Sequence, residues 1–187
     1  MKDDEIDRIK HYVEQGVNEP LGHHLLLEAW SQMRDNPRSA LVMAIAAAET
    51  GWKEFVAHNL PQTQWLLETL PSPPLEKMLR ELMPTIKTKA HFIGKKTGFP
   101  PTLLNVLKKG VNYRNRTVHG SSTSLSRDEL DEVLKAVRDL LYMLDAYNGM
   151  LWASAHISHE HVSALEPVSE TPDSRTPESD PSRESIR

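Results

Sequence analysis

Apolar residues recur every three or four positions in three long segments of this 187-residue chain, and this spacing sets the narrowest limit on its fold. The period is that of one face of an α-helix. No segment alternates apolar and polar residues over a useful length, and there is no internal repeat. The sequence therefore predicts an all-α protein: an up-and-down bundle of four to five main helices with short extra helices.

The first long helix has a clear start. Asn36 is an N-cap candidate, since its side chain can accept a hydrogen bond from a free backbone amide, and Pro37 fits the first helical position. The helix is predicted to run to about His58 and to stop before Pro61. Its apolar face consists of Leu41, Ile45, Ala48, Trp52 and Phe55.

The last long helix has the strongest signal. Ser126 and Glu129 form a Ser-x-x-Glu capping box, in which each side chain can bond the other residue's backbone amide. The pattern allows this helix to extend past Gly149 towards Trp152. Its apolar positions are Leu130, Val133, Leu134, Val137, Leu141 and Leu144.

Between these two lies a third long helix. Thr102 is its predicted N-cap, and Gly120 marks its end. Its predicted apolar positions are Leu104, Leu107, Val111 and Val118. A polar turn at residues 121–124 then leads to the last helix.

Shorter elements fill the rest of the chain. The sequence predicts short helices at residues 3–15, 24–33, 64–70 and 74–83, and a basic loop at residues 87–98. Beyond about residue 165 the chain is rich in Pro, Ser and Glu with almost nothing apolar, which predicts a disordered C-terminal tail. We divide the chain into an N-terminal helical extension (1–35), a helical bundle (36–155) and the tail (166–187).

The composition excludes several functions. The chain has no cysteine, which excludes disulfides, thiolate metal sites and cysteine nucleophiles. The longest apolar run, residues 40–48, is too short to cross a bilayer, and the first ten residues lack the apolar stretch of a secretory signal. The spacing of His156, His159 and His161 does not place all three on one helical face. We therefore expect a cytoplasmic protein with no membrane contact, metal or cofactor.

Positive charge is concentrated in one part of the chain. The net charge is −4, but residues 75–120 hold ten Lys or Arg against two Glu, a local charge of +8. Such a segment can bind the phosphates of a nucleic acid, or it can be a solvated helix face. The candidate contacts are Lys95, Lys96, Lys108, Lys109, Arg116 and, as an aromatic that can stack on a base, Tyr113.

The end of the middle helix places a guanidinium and an imidazole close together in sequence. On a helical wheel Arg114 and Asn115 each lie about 50° from the centre of the apolar stripe, on opposite sides, whereas Arg116 points into solvent. An unpaired charge beside a buried face is costly, so Arg114 is expected to meet a carboxylate or to bind an anion. His119 comes at or just beyond the helix end, within reach of the same cleft.

Glu49, on the first long helix, is a candidate partner for this arginine. It lies about 80° from the centre of its helix's apolar stripe, with Lys53 one turn further on. If the two helices pack antiparallel, Glu49 is placed to orient or neutralise Arg114.

These residues resemble the signature of the HEPN domain family. Residues 114–119, Arg-Asn-Arg-Thr-Val-His, match its Arg-x4–6-His motif, including the polar residue after the arginine. Glu49 and Lys53 resemble the family's Glu-x3-Lys element on an earlier helix. The helix order, with the motif leading into the last long helix, is also similar. The resemblance covers about residues 36–150.

The resemblance implies metal-independent RNA cleavage by a homodimer that brings two motifs to one cleft. Histidine titrates near neutral pH, so His119 is expected to take the proton of a ribose 2′-hydroxyl, while Arg114 holds the phosphate. Asn115 is expected to fix the phosphate or the imidazole. Glu49 completes the catalytic set, and Lys53 joins the RNA-binding residues. The expected products are a 2′,3′-cyclic phosphate and a 5′-hydroxyl.

Two other interpretations stay open. Arg114 and Glu49 can form a purely structural ion pair while His119 caps the helix. The family also includes members that bind nucleotides or proteins without cutting RNA. The chain would then be a catalytically silent module, or one half of a toxin–antitoxin or defence system with a regulatory protein partner.

Overall fold

The computed structural model describes residues 20–69, 74–89, 98–119 and 125–163. These residues form α-helices and short 3-10 and π turns, and no strand occurs among them. The α-helices are α1 (Leu21–Gln32), α2 (Pro37–Asn59), α3 (Gln64–Thr69), α4 (Leu75–Lys77), α5 (Pro101–Val118), α6 (Arg127–Tyr147) and α7 (His159–Ser163). The all-α prediction is confirmed.

Several predictions concern residues outside these ranges. They are the helix at 3–15, the polar turn at 121–124, most of the basic loop at 87–98 and the C-terminal tail. Lys95 and Lys96 also lie outside the described residues. The predicted end of the middle helix near Gly120 is confirmed, since α5 ends at Val118 with His119 as its C-cap.

The two longest helices, α2 and α6, run in the same direction. Gly51 of α2 lies so close to Leu141 of α6 that a Cβ added to the glycine would be 2.2 Å from the leucine side chain. Further along both helices, Asn59 donates a hydrogen bond to Asn148 just beyond α6 (2.8 Å). Every apolar position predicted for these two helices is buried in one common core.

α5 runs the opposite way against α6. Gly110 packs on Val133, whereas Tyr113, further along α5, bonds Glu129, which is nearer the start of α6. α2 and α5 therefore run in opposite senses, as the up-and-down prediction requires.

α1 belongs to the same bundle. Its Gly22 lies against α2, where an added Cβ would be 3.1 Å from the Gly51 Cα. The carboxylate of Glu54 on α2 accepts hydrogen bonds from the Leu21 and Gly22 amides, which caps the start of α1. α1 therefore packs with the bundle, although the sequence analysis assigned residues 1–35 to an N-terminal extension.

The predicted caps of α2 and α6 are confirmed. The Asn36 side chain accepts a hydrogen bond from the Ser39 amide (3.1 Å), and both halves of the Ser126–Glu129 capping box are formed. The Thr102 cap was wrong. Pro100 is the N-cap of α5 and Pro101 its first residue, because a proline at that position has no amide that needs a partner.

Two predictions about helix ends were also wrong. α6 ends at Tyr147, and Gly149 then turns the chain with a φ of +98°, a conformation that glycine adopts readily. Val118, assigned to the apolar face of α5, is 61% exposed. Tyr113 already contacts Glu129 in the first turn of α6. Val118 lies more than one helical turn further along α5, beyond the start of α6, so no α6 residue is there for it to pack on.

Candidate functional site at the end of α5

The expected contact between Arg114 and Glu49 is present. Nη2 of Arg114 donates a hydrogen bond to Oε1 of Glu49, which joins α5 to α2. The two side chains are 20% and 14% exposed, so the pair is largely but not completely shielded from water. The electrostatic attraction between the two charges is stronger in this shielded setting than at an open surface. Part of the guanidinium nevertheless remains within reach of a ligand.

His119 occupies the C-cap of α5. Its backbone amide bonds the Asn115 carbonyl (3.1 Å), which fixes the position of the residue at the helix end. The imidazole is exposed and makes no hydrogen bond within the described part of the chain. Asn115 and Arg116 are exposed as well. Three polar residues of the motif, Asn115, Arg116 and His119, therefore face solvent, whereas Arg114 is directed to α2.

A shallow depression of about 300 Å³ runs along the outer side of α5. It is lined by Asn105, Lys108, Lys109, Asn112, Tyr113 and Arg116, so four of the residues predicted to bind RNA share one surface. Amide and ammonium groups on the same helix face can bind phosphates.

Some of this positive charge is already neutralised. Lys109 lies 3.1 Å from Glu129, and Lys108 lies 4.0 Å from Glu76. The hydrogen bond to Glu129 raises the pKa of Lys109. The backbone amide of Ser126, followed by bonds from Lys109, the Ser126 hydroxyl and Tyr113, lowers the pKa of Glu129 to about 2. This carboxylate therefore stays ionised at neutral pH and would compete with any anionic ligand for Lys109.

Tyr113 and Lys53, which were also predicted to contact RNA, are both partly buried. The Tyr113 hydroxyl donates to Glu129 (3.0 Å), and its ring packs partly against the core, which leaves less of it to stack on a base. Lys53 is half-buried on α2, one turn beyond Glu49.

A second charged cluster, which the sequence did not predict, lies between α6 and the C-terminal residues. Asp139 is 1% exposed and accepts hydrogen bonds from Ser158, from Nδ1 of His161 (2.7 Å), and from Nε and Nη2 of Arg138 (3.0 and 2.8 Å). Burial is the largest influence on the Asp139 carboxyl and raises its pKa. The bonds from His161, Ser158 and Arg138 outweigh burial and hold the pKa below its ordinary value.

This second cluster is not a nucleophilic relay. A serine relay needs the serine and the aspartate on opposite ring nitrogens, whereas Ser158 and Asp139 both meet Nδ1 of His161. Its evident effect is to hold α7 against α6. No spacing rule could reveal it, because Asp139 and His161 are 22 residues apart.

The described residues hold neither a metal-binding group of side chains nor a membrane-spanning helix. No group of three or more His, Asp or Glu side chains in the described ranges is arranged to hold a metal ion. No helix in those ranges is both long and apolar enough to cross a bilayer.

No protein family model, curated protein or solved structure matches this chain. The chain is therefore classified by its fold and its candidate site alone. The chain is an all-α bundle with a shielded arginine–glutamate pair and an exposed histidine at the end of one helix.

Proposed function

We propose that this chain is a metal-independent endoribonuclease of the HEPN type, in which Arg114 and His119 act together on an RNA phosphate. The observation that carries the proposal is the contact between Arg114 and Glu49. The sequence analysis named Glu49 on an earlier helix as a candidate partner for Arg114, and Glu49 bonds the guanidinium while the Arg114 side chain stays 20% exposed. Glu49 orients this cation, and a phosphate can approach the exposed part.

Each reacting group has a defined role. His119, exposed at the helix end, takes the proton of a ribose 2′-hydroxyl, and the 2′-oxygen attacks the neighbouring phosphorus. The bond from phosphorus to the 5′-oxygen then breaks, and His119 of a second copy protonates the leaving oxygen. Arg114 stabilises the negative charge that builds on the phosphate oxygens, and Asn115 binds the same phosphate.

The remaining surface supports an RNA path and a dimer. The depression along α5 carries Lys108, which precedes the motif, and Arg116, which lies within it, and both are exposed. Val118 is a large apolar side chain exposed at the same helix end, and a second copy packed there would shield it from water. Such a dimer brings two Arg114–His119 pairs together.

A catalytically silent module that binds RNA, a nucleotide or a protein is the second candidate. The same ion pair favours it, because Glu49 neutralises Arg114 and no described residue hydrogen-bonds the His119 ring. In this case the chain binds its ligand, and no RNA is cut.

The test is incubation of the purified full chain with total RNA in EDTA. We expect wild type to cut, and Arg114→Ala and His119→Ala to lose about 100-fold or more of the rate. Arg80→Ala and His159→Ala are matched controls, since Arg80 pairs with Glu76 and His159 with Ser163, away from the motif. Equal cutting by all five proteins would reject the proposal, and RNA binding without cutting would favour the silent module.

A role as a toxin or defence protein is part of the same proposal. Expression of wild type should arrest growth, and His119→Ala should relieve the arrest. A harmless wild type that copurifies with a stoichiometric protein would instead favour the interaction module.

A further inference from the structure

α5 is the described α-helix with the largest excess of positive charge. It carries four Lys or Arg and no Asp or Glu, whereas every other described α-helix carries at least one acidic residue. The lining of the depression along its outer side includes Lys108, Lys109 and Arg116 and the amides of Asn105 and Asn112. No described acidic residue lines it, so this face is suited to an anionic partner.

Two of the three cations remain available to such a partner. Lys109 already lies 3.1 Å from a carboxylate of α6. Lys108 lies 4.0 Å from Glu76, whose carboxylate is bonded more closely to Arg80 (2.8 Å). Arg116 is exposed, and no other described residue forms an ion pair with it. Lys108 and Arg116 are about 12 Å apart along the helix, since each residue advances it by about 1.5 Å.

The chain passes this face as it leaves α7. A second depression, of about 410 Å³, lies between α5 and α7, where Asn105 lines it on one side and Glu160 and His161 on the other. Asn105 also lines the first depression, so the two adjoin. α7 ends at Ser163. From Asn105 to Arg116 the first depression is about 16 Å long, a length that about five extended residues cover.

The residues that follow α7 carry the opposite charge. Residues 164–174 contain Glu166, Glu170 and Asp173 and no Lys or Arg. Carboxylates four residues apart on an extended chain are about 13 Å apart, which is close to the spacing of Lys108 and Arg116. A segment tethered to the bundle has an effective concentration in the millimolar range, so a few weak surface pairs hold it.

We propose that residues 166–173 bind across the depression along α5 of their own chain, with Glu166 beside Lys108 and Glu170 beside Arg116. This contact covers the surface that the proposed function assigns to RNA. An RNA then has to displace the segment, which lowers its apparent affinity. That consequence rests on the proposed function, whereas the contact itself does not.

Carbodiimide cross-linking of the full chain at low salt, with the linked peptides identified by mass spectrometry, tests the contact without RNA. Lys108 should be linked to residues 166–173 at least fivefold more often than Lys87, an exposed lysine outside both depressions. The link between Lys109 and Glu129, which lie 3.1 Å apart, is the internal positive control.

Charge reversal on α5 provides the matched variant. Arg116→Glu should lower the links from Lys108 to residues 166–173 at least threefold and keep the control link. Arg34→Glu makes the same change at an exposed arginine outside both depressions and should leave the links unchanged. Mixing isotope-labelled and unlabelled chains shows whether each link lies within one copy.

Three results would overturn the proposal. They are equal linking of Lys108 and Lys87, links from Lys108 that Arg116→Glu leaves unchanged, and links that join only different copies. The last result would assign the segment to a second copy of the chain.

RNA affinity tests the consequence separately, with a fluorescent 2′-O-methyl oligouridylate that 2′-hydroxyl attack cannot cut. Neutralising Glu166, Glu170 and Asp173 to the amides should raise its affinity at least threefold. The control neutralises three exposed acidic residues elsewhere, with the same change in net charge, and should have a smaller effect; these are Glu28, Asp35 and Glu68. The expected cross-links without any change in affinity would uphold the contact and count against the RNA path along α5.

Discussion

The two charge clusters of this molecule differ in how far their carboxylates are shielded from water and in how many hydrogen bonds each carboxylate accepts. Glu49 and Arg114, between α2 and α5, are 14% and 20% exposed. Asp139, between α6 and α7, is 1% exposed and accepts four hydrogen bonds from three neighbours. Both clusters hold helices together, and in each the arginine is partly exposed, but only the first leaves its carboxylate partly exposed as well.

The difference indicates which cluster can take part in chemistry. A buried aspartate that is fully hydrogen-bonded has nothing left to offer a substrate, and its neighbours are costly to rearrange. A partly exposed arginine that a carboxylate holds in place can accept a phosphate without leaving its place in the fold. We therefore expect Asp139 to contribute mainly to stability, whereas the proposed function depends on Arg114.

The largest expected effect is on the Asp139 cluster. Asp139→Ala removes the acceptor of four hydrogen bonds, and the free energy of unfolding should fall by about 3 kcal/mol, as for other buried pairs that lose one partner. Urea unfolding followed by circular dichroism measures this loss. Asp131→Ala, which breaks only the exposed pair with Lys135, should cost less than about 1 kcal/mol. Equal losses in the two variants would contradict the assignment.

A smaller effect is expected at Glu49 and Arg114. A double-mutant cycle with Glu49→Gln and Arg114→Met should give a coupling of about 1 kcal/mol in the free energy of unfolding, because the pair is shielded only in part. No coupling would mean that the contact adds nothing to the fold.

Local sequence signals predicted the helices well and their ends less well. The Asn36 cap and the Ser126–Glu129 box depend on residues three apart, so the sequence alone reveals them. Val118 was misassigned because a helical wheel carries no information about where the neighbouring helix begins.

The two charge clusters also differ in whether the sequence could predict them. Glu49 and Arg114 were paired from the sequence because each lies at the edge of an apolar stripe on a long helix, and because the motif at residues 114–119 drew attention to them. The cluster of Asp139, Ser158 and His161 depends on how the chain folds back after Gly149, which no residue spacing specifies.

The smallest effect is on acid stability. Asp139 and Glu129 have lowered pKa values in the folded chain, so the unfolded chain binds protons more readily as the pH falls. Their contribution to the free energy of unfolding is complete above about pH 4.5. It is lost as the pH falls towards about 2, which is the pKa of Glu129 in the folded chain. Urea unfolding between pH 5 and pH 2 should show a shallower decline in Glu129→Gln than in wild type. Identical profiles would contradict this role of Glu129.

The chemistry of the RNA ends tests the central claim most directly. Fragments made by wild type in EDTA should accept a 5′ label from polynucleotide kinase without prior dephosphorylation, and they should end in a 2′,3′-cyclic phosphate. Both follow from attack by the 2′-hydroxyl with His119 as the base. Fragments with 5′-phosphates that disappear in EDTA, or the same fragments from His119→Ala, would contradict the account.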